Sequence, residues 1–355
     1  MRAYAVILAG GSGERFWPVS RVNRPKQLLK LTHPTETLLE EAVNRISPTV
    51  GPENVLIATG LPIVDAIRLA QLVPADNVIA EPGRRNTLGA ICWAAANLIS
   101  RHQSDLENVS MAVLTADHKI GAPEQFRETV MKALEVATNT GGLVTIGIEP
   151  NRPETGFGYV ELGEAIDSNA HRAASFKEKP NLATAELYLA SGKHLWNSGM
   201  FFWTLSGFLR ELEAVDTVVH RTVLEMAGEL AKGDLSAAAQ AFETLPNLSV
   251  DYALLEKSAN VFTVTADFPW DDVGAWDALE RTLPADKNVE VGNCVLVDCA
   301  GTIAYNDDAQ ILVTAVGVQD LVIVATKGAI MVCQKSDSQR VKEILQQLPP
   351  DSPLR

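Results

Sequence analysis

Short apolar runs alternate with stretches of helical spacing over the first 148 residues, and this alternation is the strongest constraint on the fold. Each run is short, apolar on both faces and bounded by glycine, proline or polar residues, which is typical of a buried strand. We predict strands at residues 5–9, 55–59, 77–80, 109–115 and 142–148, and helices at residues 37–46, 62–72, 87–100 and 123–138. A βαβ series of this kind predicts a mixed, mostly parallel sheet with helices on both faces, which binds ligands at the carboxyl ends of its strands.

The pattern changes after about residue 150. Short segments with aromatic and glycine clusters come first, and a long helical stretch follows from about residue 206 to 245, which we interpret as an insertion that completes a pocket. From about residue 288 to 334 short β-type runs recur, and they predict a small β domain similar to a short β-helix or β-roll. The terminal stretch SDSQRVKEILQQL is predicted as one amphipathic helix. We therefore expect two domains, at residues 1–283 and 284–355.

The composition limits the partners and the location of the protein. Its 30 Lys and Arg against 44 Asp and Glu give a net charge of −14, which disfavours binding to nucleic acid or to anionic membranes. No run approaches the roughly 20 apolar residues of a membrane span, and the first run is too short for a signal peptide, so we expect a cytoplasmic protein. The histidines lack ligand spacing and the cysteines lack CxxC spacing, so we expect no zinc site and reduced, buried thiols. The cysteines are Cys92, Cys294, Cys299 and Cys333.

A glycine-rich loop follows the first predicted strand. Gly10, Gly11 and Gly13 permit positive φ and bring backbone N–H groups close to a ligand, as phosphate-binding loops between a strand and a helix do. The loop matches neither the P-loop pattern GxxxxGK[ST] nor the spacing of the dinucleotide fingerprint. It therefore predicts an anion site of another class.

Four cations lie within residues 15–26, namely Arg15, Arg21, Arg24 and Lys26. In a chain this acidic, the cluster indicates a place where several phosphate charges are neutralised, by bidentate contacts from arginine and a point charge from lysine. The alternative is a basic loop that is solvated and holds no ligand.

Asp117 follows the predicted strand at residues 109–115. A carboxylate at the carboxyl end of a strand can reach Mg²⁺, which prefers oxygen ligands and keeps several waters. Aspartate is also common at helix N-caps and turns, and the residues alone leave both roles open.

Six segments, in order along the chain, resemble the signatures of one enzyme family. They are LAGGSGERFWPVSRVNRPKQLL, EPGRRNT, TADH, FKEKP, WNSGMF and WDDVGAW. The first resembles the signature of the nucleotidyltransferases that make nucleoside-diphosphate sugars, and its WPxSRxxxPKQ part resembles the mannose-1-phosphate guanylyltransferases. The resemblance spans about residues 4–280, and the tail resembles the small β-helical domain of the single-function enzymes. It implies a Rossmann-like, GT-A-like nucleotidyltransferase fold with a short left-handed β-helix-like C-terminal domain.

The resemblance implies a nucleotidyltransferase of class EC 2.7.7, which makes GDP-mannose and pyrophosphate from GTP and mannose 1-phosphate. Such a transfer depends on positioning and on charge neutralisation, with Mg²⁺ held by carboxylates. The catalytic residues implied are Arg15, Lys26, Asp117 and Asp272, of which Asp117 and Asp272 would bind the metal. Asp271 would be a spectator, because the family's ligand directly precedes the Val-Gly pair.

The resemblance also implies a GTP-binding set. Its members are Leu8, Ala9, Gly10, Gly11, Gly13, Arg15, Lys26, Asn86, Thr87 and Asp117. The glycines would cradle the triphosphate, Arg15 and Lys26 would hold its β- and γ-phosphates, and Asn86 and Thr87 would contact guanine. From the residues alone, Asn86 or Thr87 could equally be a helix N-cap. The chain departs from the family pattern at three places. They are Leu88-Gly89 directly after EPGRRNT, Phe16 in the first segment and Lys177 in FKEKP.

The implied sugar-phosphate site consists of Gly158, Glu178, Lys179 and Asn197. The Glu178 carboxylate would accept hydrogen bonds from sugar hydroxyls, and the Lys179 ammonium would neutralise the phosphate. Asn197 offers a donor and an acceptor, and Gly158 lets the backbone approach the sugar. The alternatives are a surface turn at Glu178-Lys179 and a strand bulge at Gly158. The aromatic residues Trp196, Phe201, Phe202 and Trp203 are predicted to lie in the core.

Two rival functions stay open at this point. One is a sister pyrophosphorylase that uses glucose 1-phosphate with dTTP, UTP or ATP, and the other is a catalytically silent regulatory subunit of the same fold. Retention of both aspartates together with Arg15, Lys26 and Lys179 favours an active enzyme. The family analogy and the small size of the terminal β domain predict a homodimer.

Overall fold

A computed structural model describes residues 2–349 and 351–355. Its strands are β1 Arg2–Ala9, β2 Val55–Gly60, β3 Val78–Glu81, β4 Val109–Thr115, β5 Lys119–Ile120, β6 Leu143–Ile148, β7 Tyr159–Ala165, β8 Ala170–Lys177, β9 His194–Thr204, β10 Val261–Thr265, β11 Trp270–Asp271, β12 Val289–Val291, β13 Cys294–Val297, β14 Ile303–Asn306, β15 Val313–Val316, β16 Leu321–Thr326 and β17 Ala329–Gln334. Its α-helices are α1 Leu38–Val50, α2 Val64–Leu69, α3 Asn86–Arg101, α4 Pro123–Thr140, α5 Leu182–Ser191, α6 Leu205–Val215, α7 Thr217–Ala231, α8 Leu235–Glu243, α9 Leu279–Thr282 and α10 Glu343–Gln347.

The chain divides into two compact units. The first contains residues 2–8, 43–115 and 121–268, and the second contains residues 9–42, 116–120 and 269–355 apart from Pro350.

A nine-stranded mixed sheet forms the centre of the first unit, in the order β3-β2-β1-β4-β9-β6-β10-β8-β7. β1 pairs in parallel with β4, and so does β2 with β3, whereas β9, β8 and β7 pair antiparallel with their neighbours. Leu8 lies beside Thr115 in the β1–β4 ladder, so these two strands end at the same edge of the sheet. The five strands predicted before residue 150 are all present, and the predicted α/β fold class is confirmed.

The core of this unit lies between the sheet and helices α3, α6, α7 and α8. Trp93, Trp203, Phe208 and Phe242 are among its largest fully buried side chains. The aromatic cluster of β9 is buried as predicted. The predicted helical stretch at residues 206–245 is confirmed, and it consists of three consecutive helices. Asp216 and Asp234 accept hydrogen bonds from the first backbone N–H groups of α7 and α8, and they begin new helices inside the stretch.

The second unit contains a β-helix-like domain. β12, β14 and β16 pair in parallel, β13 pairs in parallel with β15, and β17 closes the larger sheet antiparallel to β16. One face of the larger sheet packs Ile303, Tyr305 and Val322 into a core that also contains Phe16 and Trp276. The glycine-rich loop and the β-helix-like strands of this unit therefore share one core.

The C-terminal segment differs from its prediction. A 3₁₀ helix runs over Lys335–Arg340 and the short α10 follows, so the predicted single amphipathic helix was wrong. Side-chain bonds from Ser338 to Asp277 and from Lys335 to Glu280 hold the tighter turn, because these tertiary contacts outweigh the helical spacing.

Among the described residues, all four cysteines are free thiols. The prediction that these thiols are buried is confirmed for two of them. Cys92 and Cys299 are buried, whereas Cys294 and Cys333 are partly exposed. No helix within the described part of the chain is long and apolar enough to cross a membrane.

Candidate active site

Gly13 shapes the loop after β1. Its φ of +62° is left-handed, and it precedes a 3₁₀ turn over Glu14–Phe16. A Cβ at this position would overlap the side chain of Lys26 and stand 2.8 Å from its backbone nitrogen. The absence of a side chain at Gly13 therefore lets Lys26 pack directly against the loop. Gln27 Nε2 donates to the carbonyl of Ala9 at 2.9 Å and fixes the start of the same loop.

The four cations of this segment have different surroundings. Arg21 donates to the carbonyls of Pro18 and Ser20, and Arg24 pairs with Asp307 at 2.5 Å. Arg15 is exposed and forms no ion pair with another described residue. Of these four cations, Arg15 and Lys26 are therefore the two that bind neither a nearby backbone carbonyl nor the β-helix-like domain.

Lys26 joins the two aspartates that were predicted to bind metal. Its ammonium is nearly buried, and it donates to Asp117 Oδ2 at 3.0 Å and to the main-chain oxygen of Asp272 at 2.7 Å. These residues are 91 and 246 positions away in the chain, so the fold brings three predicted site residues to one point.

A short antiparallel ladder explains why the aspartates meet. Asp271 of β11 lies opposite Lys119 of β5, so Asp117 and Asp272 flank paired residues. Trp270 Nε1 donates to His118 Nδ1 at 3.1 Å and ties the two segments further. Val273 has a φ of +47°, which is a strained conformation for a β-branched residue and is typical of functional sites.

The electrostatics of the two carboxylates differ. Burial alone would raise the pKa of Asp117, but the Lys26 ammonium and His118 hold it below its usual range. Burial raises the pKa of Asp272 to about 6; the Lys26 charge opposes this rise, and repulsion from Asp271 and Asp117 adds to it. Asp271 itself pairs with Arg281 at 2.7 Å and accepts a hydrogen bond from Val273 N. Asp272 is thus the less compensated of the two predicted metal carboxylates.

The residues present fit a hard divalent cation. Within residues 2–349 and 351–355, no group of three or more His, Cys, Asp or Glu side chains could hold a metal alone. The Asp272 carboxylate accepts no hydrogen bond from a described residue, and Asp117 keeps one oxygen outside its bond to Lys26. One or two carboxylates completed by waters and substrate phosphates is the ligand set that Mg²⁺ commonly takes in proteins.

The predicted sugar-site residues converge in the first unit. A Cβ on Gly158 would overlap Glu178 Oε2 and stand 3.6 Å from Asn197 Nδ2. Lys179 Nζ pairs with Glu178 Oε1, while Glu178 Oε2 is buried without a hydrogen-bond partner. Asn197 Nδ2 also donates to Asp251 Oδ1 at 2.8 Å. We call Gly158, Glu178, Lys179, Asn197 and Asp251 the sugar cluster.

Charge is concentrated in the sugar cluster. Burial raises the pKa of Glu178, the neighbouring Asp251 adds to the rise, and Lys179 opposes it. Burial likewise raises the pKa of Asp251. Lys179 has a φ of +47°, so a second predicted motif contains a strained backbone position. A buried acceptor without a partner is costly, and a donor from a ligand would relieve that cost.

The EPGRRNT segment joins β3 to α3. Asn86 is exposed with a φ of +56°, and its Oδ1 accepts from Thr87 N at 2.8 Å. Thr87 Oγ1 accepts from Val250 N at 2.9 Å. Arg85 is the residue at the N-cap position and has no capping side-chain bond, so neither Asn86 nor Thr87 is a conventional N-cap.

Glu81 is a candidate that sequence reasoning missed. It ends β3, its carboxylate forms no hydrogen bond or ion pair with another described residue, and burial raises its pKa to about 7. A partly buried carboxylate without a partner at the carboxyl end of a strand is a ligand-site signal. Its place as the first residue of EPGRRNT was the only cue in the sequence.

Asp251 and Glu256 were also missed. Asp251 begins the π-helical turn Asp251–Leu255, and Glu256 follows directly after it. Glu256 Oε1 accepts a hydrogen bond from Glu178 N at 2.8 Å. A π turn depends on tertiary packing, so the helical spacing of this stretch gave no indication of it.

Comparisons with known proteins identify the family of the chain. A family model described as nucleotidyl transferase matches residues 4–288, and a model described as MannoseP isomerase/GMP-like beta-helix domain matches residues 292–348. A mannose-1-phosphate guanylyltransferase of Escherichia coli (strain K12) is 38% identical over 99% of this chain and 74% of its own length. The chain belongs to the mannose-1-phosphate guanylyltransferase family of nucleotidyl transferases.

Two further relatives support membership of this family. Another Escherichia coli mannose-1-phosphate guanylyltransferase is 36% identical over 97% of this chain and 75% of its own length. A crystal structure from Thermus thermophilus, described as a mannose-1-phosphate geranyltransferase, is 33% identical with a TM-score of 0.87 and covers 98% of this chain and 99% of its own. The family resemblance read from the six segments is therefore confirmed, and the β-helix-like C-terminal domain belongs to the same family pattern.

Proposed function

We propose that the protein is a mannose-1-phosphate guanylyltransferase, which converts GTP and α-D-mannose 1-phosphate to GDP-mannose and pyrophosphate. The observation that carries the proposal is the junction of Lys26 with Asp117 and Asp272, next to a loop whose Gly13 cannot bear a side chain. The rival activities are not favoured, because the curated relatives are named as mannose-1-phosphate guanylyltransferases.

The reaction is an in-line displacement at phosphorus. A phosphate oxygen of mannose 1-phosphate attacks the α-phosphorus of GTP, and the bond from that phosphorus to the bridging oxygen breaks as pyrophosphate leaves. Backbone N–H groups of Gly10, Gly11 and Gly13 bind the triphosphate, while Arg15 and Lys26 neutralise the departing charge. Asp117 and Asp272 would hold Mg²⁺, which supplies charge stabilisation to the phosphates when it is bound.

The sugar cluster binds mannose 1-phosphate. Glu178 Oε2 accepts a hydrogen bond from a sugar hydroxyl, since it is buried and has no protein donor. Asn197 Nδ2 donates to a sugar oxygen with its second hydrogen, and Lys179 attracts the sugar phosphate. Gly158 has no Cβ, and this leaves room for Glu178 Oε2 beside Asn197.

The base is bound by the EPGRRNT segment. Asn86 and Thr87, with the backbone of Leu8, contact the guanine. We assign to Glu81 the acceptance of the guanine N1–H and N2–H donors, because both of its carboxylate oxygens are without protein donors. Adenine has no N1–H group, so the same carboxylate would discriminate against ATP.

The direct test of the function is pyrophosphate release by the purified protein with Mg²⁺. GTP is compared with ATP, UTP and dTTP on mannose 1-phosphate, and glucose 1-phosphate is then compared on GTP. Strong release with GTP and mannose 1-phosphate alone supports the proposal. Release with another pair would make the protein a sister pyrophosphorylase, and no release with any pair would make it a regulatory subunit.

Replacing Gly158 by alanine is expected to raise the KM for mannose 1-phosphate at least about tenfold and to leave the KM for GTP nearly unchanged. The new methyl group would overlap Glu178 Oε2 and fill the space between Glu178 and Asn197. Gly228→Ala is the matched control, because a Cβ there meets no atom within 4 Å. Equal KM values in both variants would contradict the assignment of the sugar cluster.

Replacing Glu81 by glutamine is expected to stabilise the protein at pH 8 and to change little at pH 4.5. The folded wild type keeps the Glu81 proton up to a pKa of about 7, whereas an unfolded glutamate releases it near 4.5. The free energy of unfolding of the wild type therefore falls as the pH rises between these values, by at most about 3 kcal/mol, and the variant lacks this loss. Urea unfolding at both pH values measures the difference. An equal difference at both pH values would show that Glu81 is not desolvated.

The same variant tests the base assignment. Inosine triphosphate has the N1–H donor of guanine and lacks the 2-amino group. If Glu81 accepts from both donors, the wild type prefers GTP over inosine triphosphate, and Glu81→Gln loses much of this preference. Glu186→Gln, at an exposed position on α5, is the control and is expected to keep it.

Further properties follow from the proposed function. We place the catalytic domain at residues 1–283 and the small β domain at residues 284–355, with Mg²⁺ as cofactor and the cytoplasm as location. We propose a homodimer in which the outer face of the β13–β15 ladder is covered, because Val297 and Val316 pair there and are 47% and 69% exposed. Light scattering should then give twice the 38.3 kDa of one chain, and Val297→Glu should reduce it to one.

A further inference from the structure

A buried carboxylate of the sugar cluster matches none of the six segments that resemble the family. Asp251 is only 9% exposed and begins the π-helical turn Asp251–Leu255. Its Oδ1 accepts the hydrogen bond from Asn197 Nδ2. A buried carboxylate that binds one side-chain amide is available to orient that amide.

The Asn197 amide is held at both ends. Its Oδ1 accepts from Thr145 Oγ1 at 2.9 Å and from Gly199 N at 3.2 Å, while its Nδ2 donates to Asp251. A primary amide has two N–H donors, so one hydrogen of Nδ2 is left after the bond to Asp251. The protein therefore uses the acceptor of Asn197 itself and leaves one donor.

That donor lies close to the unpartnered acceptor of the cluster. Asn197 Nδ2 and Glu178 Oε2 are both within 4 Å of the point where a Cβ on Gly158 would stand. A donor and an acceptor at such close range match a sugar hydroxyl, which both donates and accepts. Rotation of the Asn197 amide would replace the donor by a second acceptor and remove this match.

The segment that carries Asp251 is anchored at two sites of the first unit. At one end, Val250 N donates to Thr87 Oγ1 and Leu248 O accepts from Leu88 N at 3.3 Å. At the other end, Glu256 accepts from the backbone N of Glu178. The position of Asp251 is therefore set by the base segment and by the sugar cluster together.

We propose that Asp251 is a positioning residue for mannose 1-phosphate, which holds the Asn197 amide so that Nδ2 and Glu178 Oε2 form one donor–acceptor pair for a sugar hydroxyl. The inference rests on the proposed function. Asp251 acts through Asn197 and takes no part in the transfer at phosphorus.

Steady-state kinetics and thermal unfolding of the full chain test the inference. Asp251→Ala is expected to raise the KM for mannose 1-phosphate about tenfold or more while the KM for GTP changes less than about twofold. Asp251→Asn retains an acceptor for Asn197 Nδ2 and is expected to show a smaller rise. Glu211→Ala is the matched control, because Glu211 accepts from Asn260 Nδ2 at 3.0 Å in the same unit but outside the sugar cluster. It is expected to lower Tm and to leave both KM values unchanged.

A double variant that exchanges the residue types at positions 197 and 251 distinguishes a positioning role of Asp251 from simple support of the fold. Asn197→Asp with Asp251→Asn keeps one donor–acceptor bond between the two positions but moves the free donor to residue 251. We expect this double variant to recover the Tm lost in Asp251→Ala and to keep a high KM for mannose 1-phosphate. Recovery of both quantities would show that Asp251 only supports the fold and would overturn the inference.

The remaining outcomes are also decisive. An Asp251→Ala protein with a lower Tm and an unchanged KM for mannose 1-phosphate overturns the inference while the proposed function stands. If Asp251→Ala does not fold, wild-type KM values in both Asp251→Asn and the double variant would overturn the inference in the same way. A wild type without turnover of GTP and mannose 1-phosphate would overturn the proposed function and this inference with it.

Discussion

Replacing Asp272 by asparagine is expected to lower kcat for pyrophosphate release about a thousandfold. The substitution keeps the size of the side chain and removes its charge, so under the proposed metal assignment the phosphates would lose a carboxylate ligand of their metal. Such a loss is worth about 4 kcal/mol of transition-state stabilisation, and each 1.36 kcal/mol is tenfold in rate. Asp117→Asn is expected to give a loss of the same order, because its carboxylate lies at the same Lys26 ammonium. Initial rates over a series of Mg²⁺ concentrations measure both effects.

Asp277→Asn is the control for these variants. Asp277 is a carboxylate of the same unit, five positions after Asp272, and it bonds to Arg281 and to Ser338. Its replacement is expected to lower stability and to leave the Mg²⁺ dependence of turnover unchanged. Normal turnover in both Asp117→Asn and Asp272→Asn would remove the metal assignment.

Replacing Lys26 by alanine is expected to reduce kcat/KM for GTP about 10²- to 10³-fold. An ammonium or hydrogen-bond donor that acts on developing charge in a desolvated site commonly contributes this much. Lys26→Arg is expected to be nearly as inactive, because Lys26 is 6% exposed and a larger head group would displace the bonds of its ammonium to Asp117 Oδ2 and to the main-chain oxygen of Asp272. The KM for mannose 1-phosphate is expected to change less than the KM for GTP.

Lys335→Ala serves as the matched control for Lys26→Ala. Like Lys26, Lys335 bonds to carboxylate and main-chain oxygens, in its case those of Glu280, Asp320 and Gly301, and it lies outside the proposed phosphate site. The control is expected to lose stability and keep turnover. Parallel losses of turnover in the two lysine variants would indicate that Lys26 has only a structural role.

Local patterns predicted most of the elements of the first unit. The strand from residue 109 to residue 115 and the helix from Pro123 have the predicted start, because short-range spacing of apolar residues decides both. Predictions were weaker where tertiary contacts compete with spacing. The bond from Ser338 to Asp277 alters the last helix, which was predicted as one amphipathic helix.

The candidate site likewise combines features that local sequence patterns predicted with features that depend on tertiary contacts. The residue types at the loop, at Asp117 and in the sugar motifs were recognisable from their segments. The partner that each side chain contacts was not. Arg24 looked like a phosphate ligand in the sequence, yet it pairs with Asp307, 283 positions away. Asp251 gave no signal at all, because its role depends on a hydrogen bond to Asn197, which is 54 positions away.

The sequence by itself determined the α/β class, the early strands and the family, since these depend on local periodicity and on short contiguous motifs. Only the tertiary structure decided which charges meet. The β5–β11 ladder brings Asp117 and Asp272 to Lys26, and the π turn places Asp251 on Asn197. The physical reason is that local spacing reports on neighbours within a few residues, whereas a pairing over 91 or 246 positions is set by how the whole chain folds.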